Sequence, residues 1–154
     1  MQNPYEEIIR QLANHSIKYE VLEHEPVYTS EQAAKVRGLS LQQGAKSLLL
    51  KADNKFILIV LPGDKKLNSK KLKKMLGIKN LRFATPEEVK EIMGCEIGAC
   101  YPIGTIIGIK PLVDTLLSQN EIISFNPGVH NKSIKIRWSD YQGLTDPELA
   151  DIAV

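Results

Sequence analysis

Lys46 is one residue whose type and position could do chemistry. It begins an apolar segment and is flanked by Ala45, Leu48 and Leu49. A lysine held by a rigid strand can direct its ammonium into a pocket and bind a phosphate as a point charge. A lysine at a strand edge can also be merely solvated, and the local sequence leaves both interpretations open.

Two segments that contain glycine and proline could add polar groups to such a site. The first, 98–104, includes Pro102 and could present backbone N–H groups to a carbonyl or an oxyanion, or it could be an ordinary turn. The second, 126–131, is predicted to be a polar turn between two strands. We expect His130 to be exposed there, where an imidazole is more often incidental than catalytic.

The basic side chains are distributed unevenly. Of the 20 basic residues, seven lysines lie in 65–79, which has no acidic residue, and the other 13 accompany all 18 acidic residues. A helix predicted in this segment buries Leu72, Met75 and Leu76. Its solvent face carries Lys70, Lys71, Lys73 and Lys74. Lysines in a first helical turn oppose the macrodipole, at roughly a few tenths of a kcal/mol each, and a polyanion would offset that cost. The pattern predicts either contact with nucleic acid or a solvated lysine face.

Several kinds of catalytic site are excluded by missing motifs. There is no Gly-x-Ser-x-Gly elbow and no His-Glu-x-x-His motif, and segment 44–47 lacks the glycines of a phosphate-binding loop. Cys95 and Cys100 have four residues between them, and the histidines are scattered at positions 15, 24 and 130. A zinc site is one interpretation of these residues, and incidental buried cysteines are the other.

Length and composition indicate one soluble domain that comprises residues 1–154. Apolar residues make up 43% of the chain and charged residues 25%, and the formal net charge of +2 points to no particular partner. The longest apolar segment, 56–62, is far shorter than the roughly 20 residues that cross a bilayer. Residues 1–15 begin polar and acidic, so we expect no secretory signal, no membrane partner and a cytoplasmic location.

The order of the predicted elements favours an α+β fold with a mixed or largely antiparallel sheet. Capping residues predict helices that begin near Asn3, Thr29, Asn68 and Thr85. Alternating and apolar runs predict strands at 17–21, 47–50, 56–61, 81–84, 105–109, 122–125 and 133–138. The second and third of these strands form a hairpin, and because neither alternates, both of its faces are expected to be covered.

Four segments, taken in their order and spacing, make the chain similar to the YbaK-type family. This family is the free-standing relative of the editing domain inserted in bacterial prolyl-tRNA synthetases, and the similarity extends over roughly 17–144. The segments are His24-Glu25-Pro26-Val27-Tyr28-Thr29, Gly44-Ala45-Lys46-Ser47-Leu48, Gly94-Cys95-Glu96-Ile97-Gly98 with Pro102-Ile103-Gly104, and Phe125-Asn126-Pro127-Gly128. The resemblance implies a mixed, barrel-like sheet surrounded by helices in a single domain.

The resemblance also implies an activity, the hydrolysis of a wrong small amino acid from a mischarged tRNA such as tRNA(Pro). Lys46 matches the family's essential lysine, which engages the phosphate and sugar of the terminal adenosine. Gly98 and Pro102 match its Gly-x-x-x-Pro loop, whose backbone holds the aminoacyl group, so Lys46 and Gly98 are the expected catalytic residues. The expected substrate-binding residues are Tyr28, Thr29, Pro102, Gly104, Asn126 and His130. The expected tRNA-binding residues are Lys70, Lys71, Lys73 and Lys74.

The same resemblance implies the partners of the protein and a reaction that needs no nucleophile triad. Mischarged aminoacyl-tRNA is the expected substrate, prolyl-tRNA synthetase is a further expected partner, and no cofactor or metal is implied. An aminoacyl ester is already activated, so positioning, oxyanion donors and a placed water can suffice. The family suggests that the substrate's own ribose hydroxyl or amino group handles the proton.

Two alternatives to an editing hydrolase stay open at this point. A non-catalytic tRNA- or synthetase-binding module would keep the lysine-rich helix and would not need Lys46. A hydrolase of another small activated acyl compound would keep its activity after the four helix lysines were neutralised. Release of an amino acid from mischarged tRNA distinguishes the editing enzyme from the binding module, whereas tRNA affinity does not.

Overall fold

Helices and strands follow one another irregularly along the chain, as the capping and apolar patterns predict. The computed structural model describes residues 3–154. Its α-helices are α1 (Pro4–Asn14), α2 (Ser30–Arg37), α3 (Ser69–Leu76), α4 (Pro86–Met93) and α5 (Trp138–Thr145). Its strands are β1 (Glu20–Glu23), β2 (Ala45–Ala52), β3 (Lys55–Pro62), β4 (Leu81–Phe83), β5 (Leu112–Asp114), β6 (Ile122–Phe125), β7 (Lys132–Arg137) and β8 (Glu148–Ala150).

The strands form two sheets with mixed but largely antiparallel pairing. The larger sheet has the order β4-β2-β3-β5-β8, and the smaller has the order β1-β7-β6. Only the β3–β5 and β5–β8 pairs are parallel in the described chain. A single parallel bridge between Gly44 and Ser124 joins the two sheets. The predicted α+β class is confirmed, although the strands lie in two open sheets rather than in one barrel-like sheet.

The hairpin of β2 and β3 is covered on both faces, as its continuous apolar sequence predicts. Successive side chains of a strand point to opposite faces. Leu49 and Leu58 therefore lie in the larger of two hydrophobic clusters, whereas Leu50 and Ile59 lie in the smaller one. Leu72 of α3 also belongs to the smaller cluster, so α3 covers the face of the sheet opposite the main core.

The predicted helix ends are confirmed by their hydrogen bonds. The Asn3 side chain accepts a hydrogen bond from the N–H of Tyr5, and Thr85 and Glu88 form the reciprocal bonds of a capping box. Gly94 ends α4 with a φ of 66°, a backbone conformation that favours glycine. None of the helices in residues 3–154 is long and apolar enough to span a membrane.

The prediction of the buried face of α3 is partly wrong. Leu72 is fully buried, but Met75 is 44% exposed and Leu76 is 37% exposed. The smaller cluster beneath α3 has only six buried members, and of the three apolar helix residues only Leu72 reaches it. The helix therefore contacts the sheet through a narrow stripe.

The strand predicted at 105–109 is also wrong, because the chain turns there as a 3₁₀ helix (Gly104–Ile106). The Gly104 carbonyl accepts hydrogen bonds from the N–H groups of Ile107 and Ile109, and a Cβ at Gly104 would collide with the Ile109 carbonyl. The strand predicted to end at Trp138 ends at Arg137, because Trp138 begins α5. The short strands β5 and β8 carry patterns too brief for sequence periodicity to detect.

Candidate active site

A cleft of about 370 Å³ lies where α2, β2, the Gly94–Gly104 loop and the end of β6 meet. It brings together residues that are up to about a hundred positions apart in the chain. The predicted site residues that line it are Tyr28, Thr29, Lys46, Gly98 and Asn126. The expected catalytic lysine and the first glycine of the Gly-x-x-x-Pro loop thus share one cavity.

The pairing of β2 explains why this strand offers an open edge to the cleft. β3 pairs with β2 along its whole length, but β4 covers the other side only at the last three residues. The Gly44 carbonyl accepts a hydrogen bond from the N–H of Gly63, just beyond β3, at 2.9 Å. Antiparallel pairing then turns the backbone groups of Ala45 and Ser47 away from β3. Within residues 3–154, no strand pairs with that side of β2 between Gly44 and the β4 pairing.

Ser47 adds a buried hydroxyl to this open edge. Its side chain lines the cleft and is only 8% exposed, and its Oγ has no hydrogen-bond partner in the described chain. A buried polar group without a partner costs about 1–3 kcal/mol.

Lys46 is half-buried in the wall of the cleft among charges of both signs. Its ammonium donates a hydrogen bond to the backbone carbonyl of Lys65, in the loop after β3. Burial lowers the pKa of Lys46, and the nearby Lys66 lowers it further, whereas the carboxylates of Glu31 and Asp64 act in the opposite direction. The ammonium is therefore fixed by a neutral acceptor and is not tied to a carboxylate by a direct ion pair within residues 3–154.

Gly98 lies in the cleft with a backbone that favours glycine, since its φ is 92°. Its carbonyl accepts a hydrogen bond from Nδ2 of Asn126 at 2.9 Å. A Cβ at Gly98 would lie 3.5 Å from Cε1 of His130. The peptide group of Gly98 is thus held on one side by the turn after β6 and packed on the other against a histidine.

His130 is packed rather than exposed, so that prediction is wrong. Its side chain is 12% exposed, and its Nε2 lies 3.2 Å from the Glu96 carboxylate. Its Nδ1 lies 3.1 Å from the Val27 carbonyl, and its ring centroid lies 4.5 Å from that of Tyr28. The chain turns back here so that the Tyr28 segment covers the ring. His130 supports the Gly98 side of the cleft from behind and does not line it.

Three other predicted substrate-binding residues have structural contacts of their own. The Thr29 side chain accepts a hydrogen bond from the N–H of Gln32 and caps α2 at the cleft. Pro102 and Gly104 are buried and do not line the cleft. The Pro102 carbonyl accepts a hydrogen bond from the Tyr141 hydroxyl at 2.8 Å, which anchors the end of the loop to α5.

Arg37 is a cleft residue to which the sequence patterns assigned no role. It ends α2, is 6% exposed, and donates hydrogen bonds to Ser133 Oγ, Ser124 Oγ and Asn126 Oδ1. Burial lowers its pKa to about 10. The only signal in the sequence was an arginine in a short helix whose other inward residues are alanines, and that pattern is too common to be diagnostic.

The lysines of α3 lie outside the cleft. Lys71 forms an ion pair with Asp151 at 2.6 Å, and Lys73 borders a separate surface depression with Lys51, Lys79 and Arg82. Lys70 and Lys74 are exposed. These side chains form a basic surface that is distinct from the cleft.

The two cysteines lie at the base of the loop and form no metal centre with neighbouring residues. Cys95 and Cys100 are buried free thiols whose sulfur atoms are 4.0 Å apart. The contact with Cys100, together with burial, raises the pKa of the Cys95 thiol. Residues 3–154 contain no group of three or more histidine, cysteine, aspartate or glutamate side chains placed to hold a metal ion.

Comparison with known proteins assigns the family. The sequence model described as the aminoacyl-tRNA editing domain matches residues 24–144. The chain belongs to this family. It is 31% identical over 152 residues to the multifunctional Ser/Thr-tRNA deacylase ProXp-y of Escherichia coli (strain K12), and the match covers 96% of this chain and 91% of the relative. The prediction of an aminoacyl-tRNA editing enzyme is confirmed at the level of the family.

More distant relatives agree with this assignment. The editing domain is 27% identical to part of the proline–tRNA ligase of Caldicellulosiruptor bescii, and the match covers 86% of this chain and 25% of the ligase. The crystal structure of a candidate trans-editing enzyme for prolyl tRNA synthetase matches with a TM-score of 0.87 at 24% identity, covering 100% of this chain and 99% of that one. The crystal structure of hypothetical protein APE2540 matches with a TM-score of 0.86, also at 24% identity, over 96% of this chain and 99% of that one. The structural matches establish the fold.

Proposed function

We propose that this editing domain acts in trans as a hydrolase that removes a wrong small amino acid from mischarged tRNA, with tRNA(Pro) as the first candidate. The observation that carries the proposal is that Lys46 and Gly98 line one cleft. A relative named a tRNA deacylase, which this chain matches over 91% of that relative's length, supports the proposal. In the proposed setting the enzyme works in the cytoplasm.

Lys46 is proposed to anchor the phosphate and sugar of the terminal adenosine. Its half-buried ammonium is fixed by the Lys65 carbonyl, so it loses little side-chain entropy when it meets an anion. The neutral acceptor also leaves its positive charge uncompensated by any direct ion pair in the described chain. A phosphate oxygen is a better partner for an ammonium than a peptide carbonyl is, because the hydrogen bond is then charge-assisted on both sides.

The Gly98 side of the cleft is proposed to hold the aminoacyl ester. A water oxygen attacks the ester carbonyl carbon, the bond from that carbon to the ribose oxygen breaks, and the ribose hydroxyl leaves with a proton. Backbone N–H groups and small side chains in the cleft can orient the ester and stabilise the developing oxyanion. Apolar groups such as Ala33 and Ile97 exclude bulk water around the reacting atoms.

The names of the relatives indicate which amino acids and which tRNA to test first. The E. coli relative is named for serine and threonine, and the proline–tRNA ligases contain a similar segment. Serine, threonine, alanine and cysteine esters of tRNA(Pro) are therefore the substrates to test first. Prolyl-tRNA synthetase is the proposed partner that would deliver them.

The test is a deacylation panel with seryl-, threonyl-, alanyl- and cysteinyl-tRNA(Pro), with prolyl-tRNA(Pro) as the correctly charged control. We expect the protein to release at least one of the wrong amino acids faster than the spontaneous rate and to leave proline in place. Binding of all five tRNAs without release would indicate a non-catalytic module and would contradict the proposal. Release from small activated esters but from none of the tRNAs would indicate the other kind of hydrolase.

A further inference from the structure

Arg37 is a buried charge whose partners are all neutral. Its three hydrogen-bond acceptors are two serine hydroxyls and one amide oxygen, and no carboxylate pairs with it in residues 3–154. A guanidinium has five N–H donors, so two have no acceptor in the described chain. Taking such a charge out of water costs several kcal/mol unless it is well compensated. A side chain retained at that cost beside a cleft is a candidate for a functional role.

The guanidinium determines which way the Asn126 amide points. Arg37 can only donate hydrogen bonds, so the amide must turn its oxygen towards Nη2, at 2.7 Å. The amide nitrogen then faces the opposite direction and donates to the Gly98 carbonyl at 2.9 Å. A chain of two hydrogen bonds therefore runs from Arg37 through Asn126 to Gly98, and we call it the Arg37 relay.

The relay ends on the part of the loop that borders the cleft. Gly98 has a φ of 92°, and because glycine has no Cβ, sterics restrict the rotation of its peptide group little and hydrogen bonds must hold it. The Asn126 bond holds that carbonyl, and the next N–H, of Ala99, donates to the Glu96 carbonyl. Both sides of the Gly98–Ala99 peptide are thus fixed, and the side that faces the turn after β6 depends on Arg37.

We propose that Arg37 is a positioning residue of the deacylation reaction, which acts through Asn126 to hold the Gly98 peptide group in its reactive orientation. The inference rests on the proposed function. It gives Arg37, at the end of α2, a role at the loop that borders the same cleft. A displacement of about 1 Å at a reacting group can lower a rate about 100-fold, so a distant anchor of this kind can matter as much as a contact.

Ser133 supplies a control, because its hydroxyl accepts a hydrogen bond from another nitrogen of the same guanidinium. Arg37 Nε donates to Ser133 Oγ at 2.8 Å, as Nη2 does to Asn126. Ser133 is buried in β7 and does not line the cleft. Ser133→Ala therefore removes one hydrogen bond of Arg37, together with the bond between Ser133 Oγ and Nε2 of His24 at 2.8 Å, and leaves the bonds that lead to Gly98 in place.

The first experiment measures kcat and KM for release of the amino acid that the wild-type protein removes best. Arg37→Lys keeps the charge but lacks the planar fork that reaches several acceptors at once, and Asn126→Ala removes the middle of the relay. We expect each to lower kcat by about 10- to 100-fold with KM changed less than about threefold. The double variant is expected to be no slower than the slower single variant, because both break one chain. Ser133→Ala is expected to keep the wild-type kcat although its Tm falls.

The second experiment separates positioning from stability. Asn126→Asp can still accept from Arg37, and its carboxylate compensates the buried charge, but it cannot donate to the Gly98 carbonyl. We expect its Tm to exceed that of Asn126→Ala while its kcat is equally low. If Arg37 only stabilised the fold, kcat would follow Tm and Asn126→Asp would be the more active of the two.

Wild-type kcat in Arg37→Lys, or equal losses of kcat in Ser133→Ala and Asn126→Ala, would overturn the inference. Failure of the proposed function looks different, since the wild-type protein would then release no amino acid at all. In that case the relay is judged by NMR of the Asn126 side-chain amide, whose exchange with solvent is expected to be slow in the wild-type protein and fast in Arg37→Lys. Equally slow exchange in both proteins would contradict the relay.

Discussion

The two halves of β2 carry similar sequences but have different surroundings. In the first half, Lys46 lies beside an edge that no described strand covers between the Gly44–Ser124 bridge and the β4 pairing, and the cleft lies along that edge. In the second half, Lys51 lies opposite Phe56, with its ammonium 5.4 Å from the ring centroid, and β4 pairs with the same edge. Two lysines of one strand, five positions apart, therefore have different surroundings: Lys46 lines the cleft, whereas Lys51 packs over an aromatic ring.

The difference shows what creates a site in this fold. An uncovered strand edge presents backbone donors and acceptors that a neighbouring strand would otherwise occupy. The first half of β2 keeps such an edge because β4 is only three residues long and because the chain turns into α4 after Ala84. The brevity of β4, rather than a special feature of β2, leaves room for the cleft.

Replacing the two lysines gives the largest expected effect. Lys46→Ala is expected to lower kcat/KM by about 100-fold, because it removes the proposed charge-assisted contact to the substrate and leaves the strand intact. Lys51→Ala is the matched control, since it removes a lysine from the same strand, and its kcat/KM is expected to change less than about threefold. Steady-state deacylation measures both. Similar losses in the two variants would remove the distinction between the halves of β2.

Two glycines with positive φ, one beside the cleft and one away from it, allow the same comparison to be made outside β2. Gly98→Ala, in the loop that borders the cleft, is expected to lower kcat about tenfold. It is also expected to lower the free energy of unfolding by about 1–2 kcal/mol, because a Cβ strains a backbone with positive φ. Gly77→Ala, at the end of α3, also replaces a residue with positive φ, 65°, but lies away from the cleft. It is expected to lose similar stability and no activity, as measured by denaturant unfolding and by kcat.

The pH dependence of activity tests whether the Lys46 side chain must be protonated. Its ammonium binds an anion only while protonated, and burial lowers its pKa below that of an ordinary lysine, about 10.4. Activity should therefore fall as the pH rises, beginning at a lower pH than an exposed lysine would give. The alkaline limb of kcat/KM measures this pKa. Lys46→Arg, if active, should lose the limb, because arginine keeps its charge; an unchanged limb in that variant would assign the titration to another group.

The smallest expected effect concerns the basic surface formed by the lysines of α3, outside the cleft. The double substitution of Lys70 and Lys74 by glutamine should raise KM for tRNA a few-fold at low salt and leave kcat unchanged. The slope of log KM against log salt concentration should fall by about 1.5, since each phosphate contact contributes about 0.7–0.9. Lys18→Gln, an exposed charge just before β1 of the other sheet, is the control and should leave the slope unchanged. An unchanged slope in the double variant would indicate that α3 is merely solvated.

Much of the fold could be predicted because its signals are local. The capping box at Thr85, the asparagine cap at Asn3 and the continuous apolar runs of β2 and β3 are satisfied within a few residues of the chain. The segment 105–109 was predicted wrongly because its apolar residues imitate a strand. Its true conformation depends on the close approach of Gly104 to the Ile109 carbonyl.

The residues of the candidate site were predictable only in part. The motifs around Lys46 and Gly98 indicated a family, and the structure brings both residues to one cleft. The packing of His130 behind Gly98 had no signal in the sequence, because its contacts come from the distant Val27 and Glu96. Arg37 had no diagnostic signal either, because its partners lie in β6, β7 and the turn between them.

The sequence by itself determined four of the five α-helices in the described chain and most of the strands, the two-faced burial of the central hairpin and the family, because these follow from periodicity, capping and short motifs. The tertiary structure alone decided which edge of β2 stays open, which histidine packs behind Gly98 and which arginine is buried beside the cleft. Those features depend on contacts between segments that are distant in the chain. Burial and hydrogen-bond partners at such contacts are set by how the two sheets meet, and no local pattern carries that information.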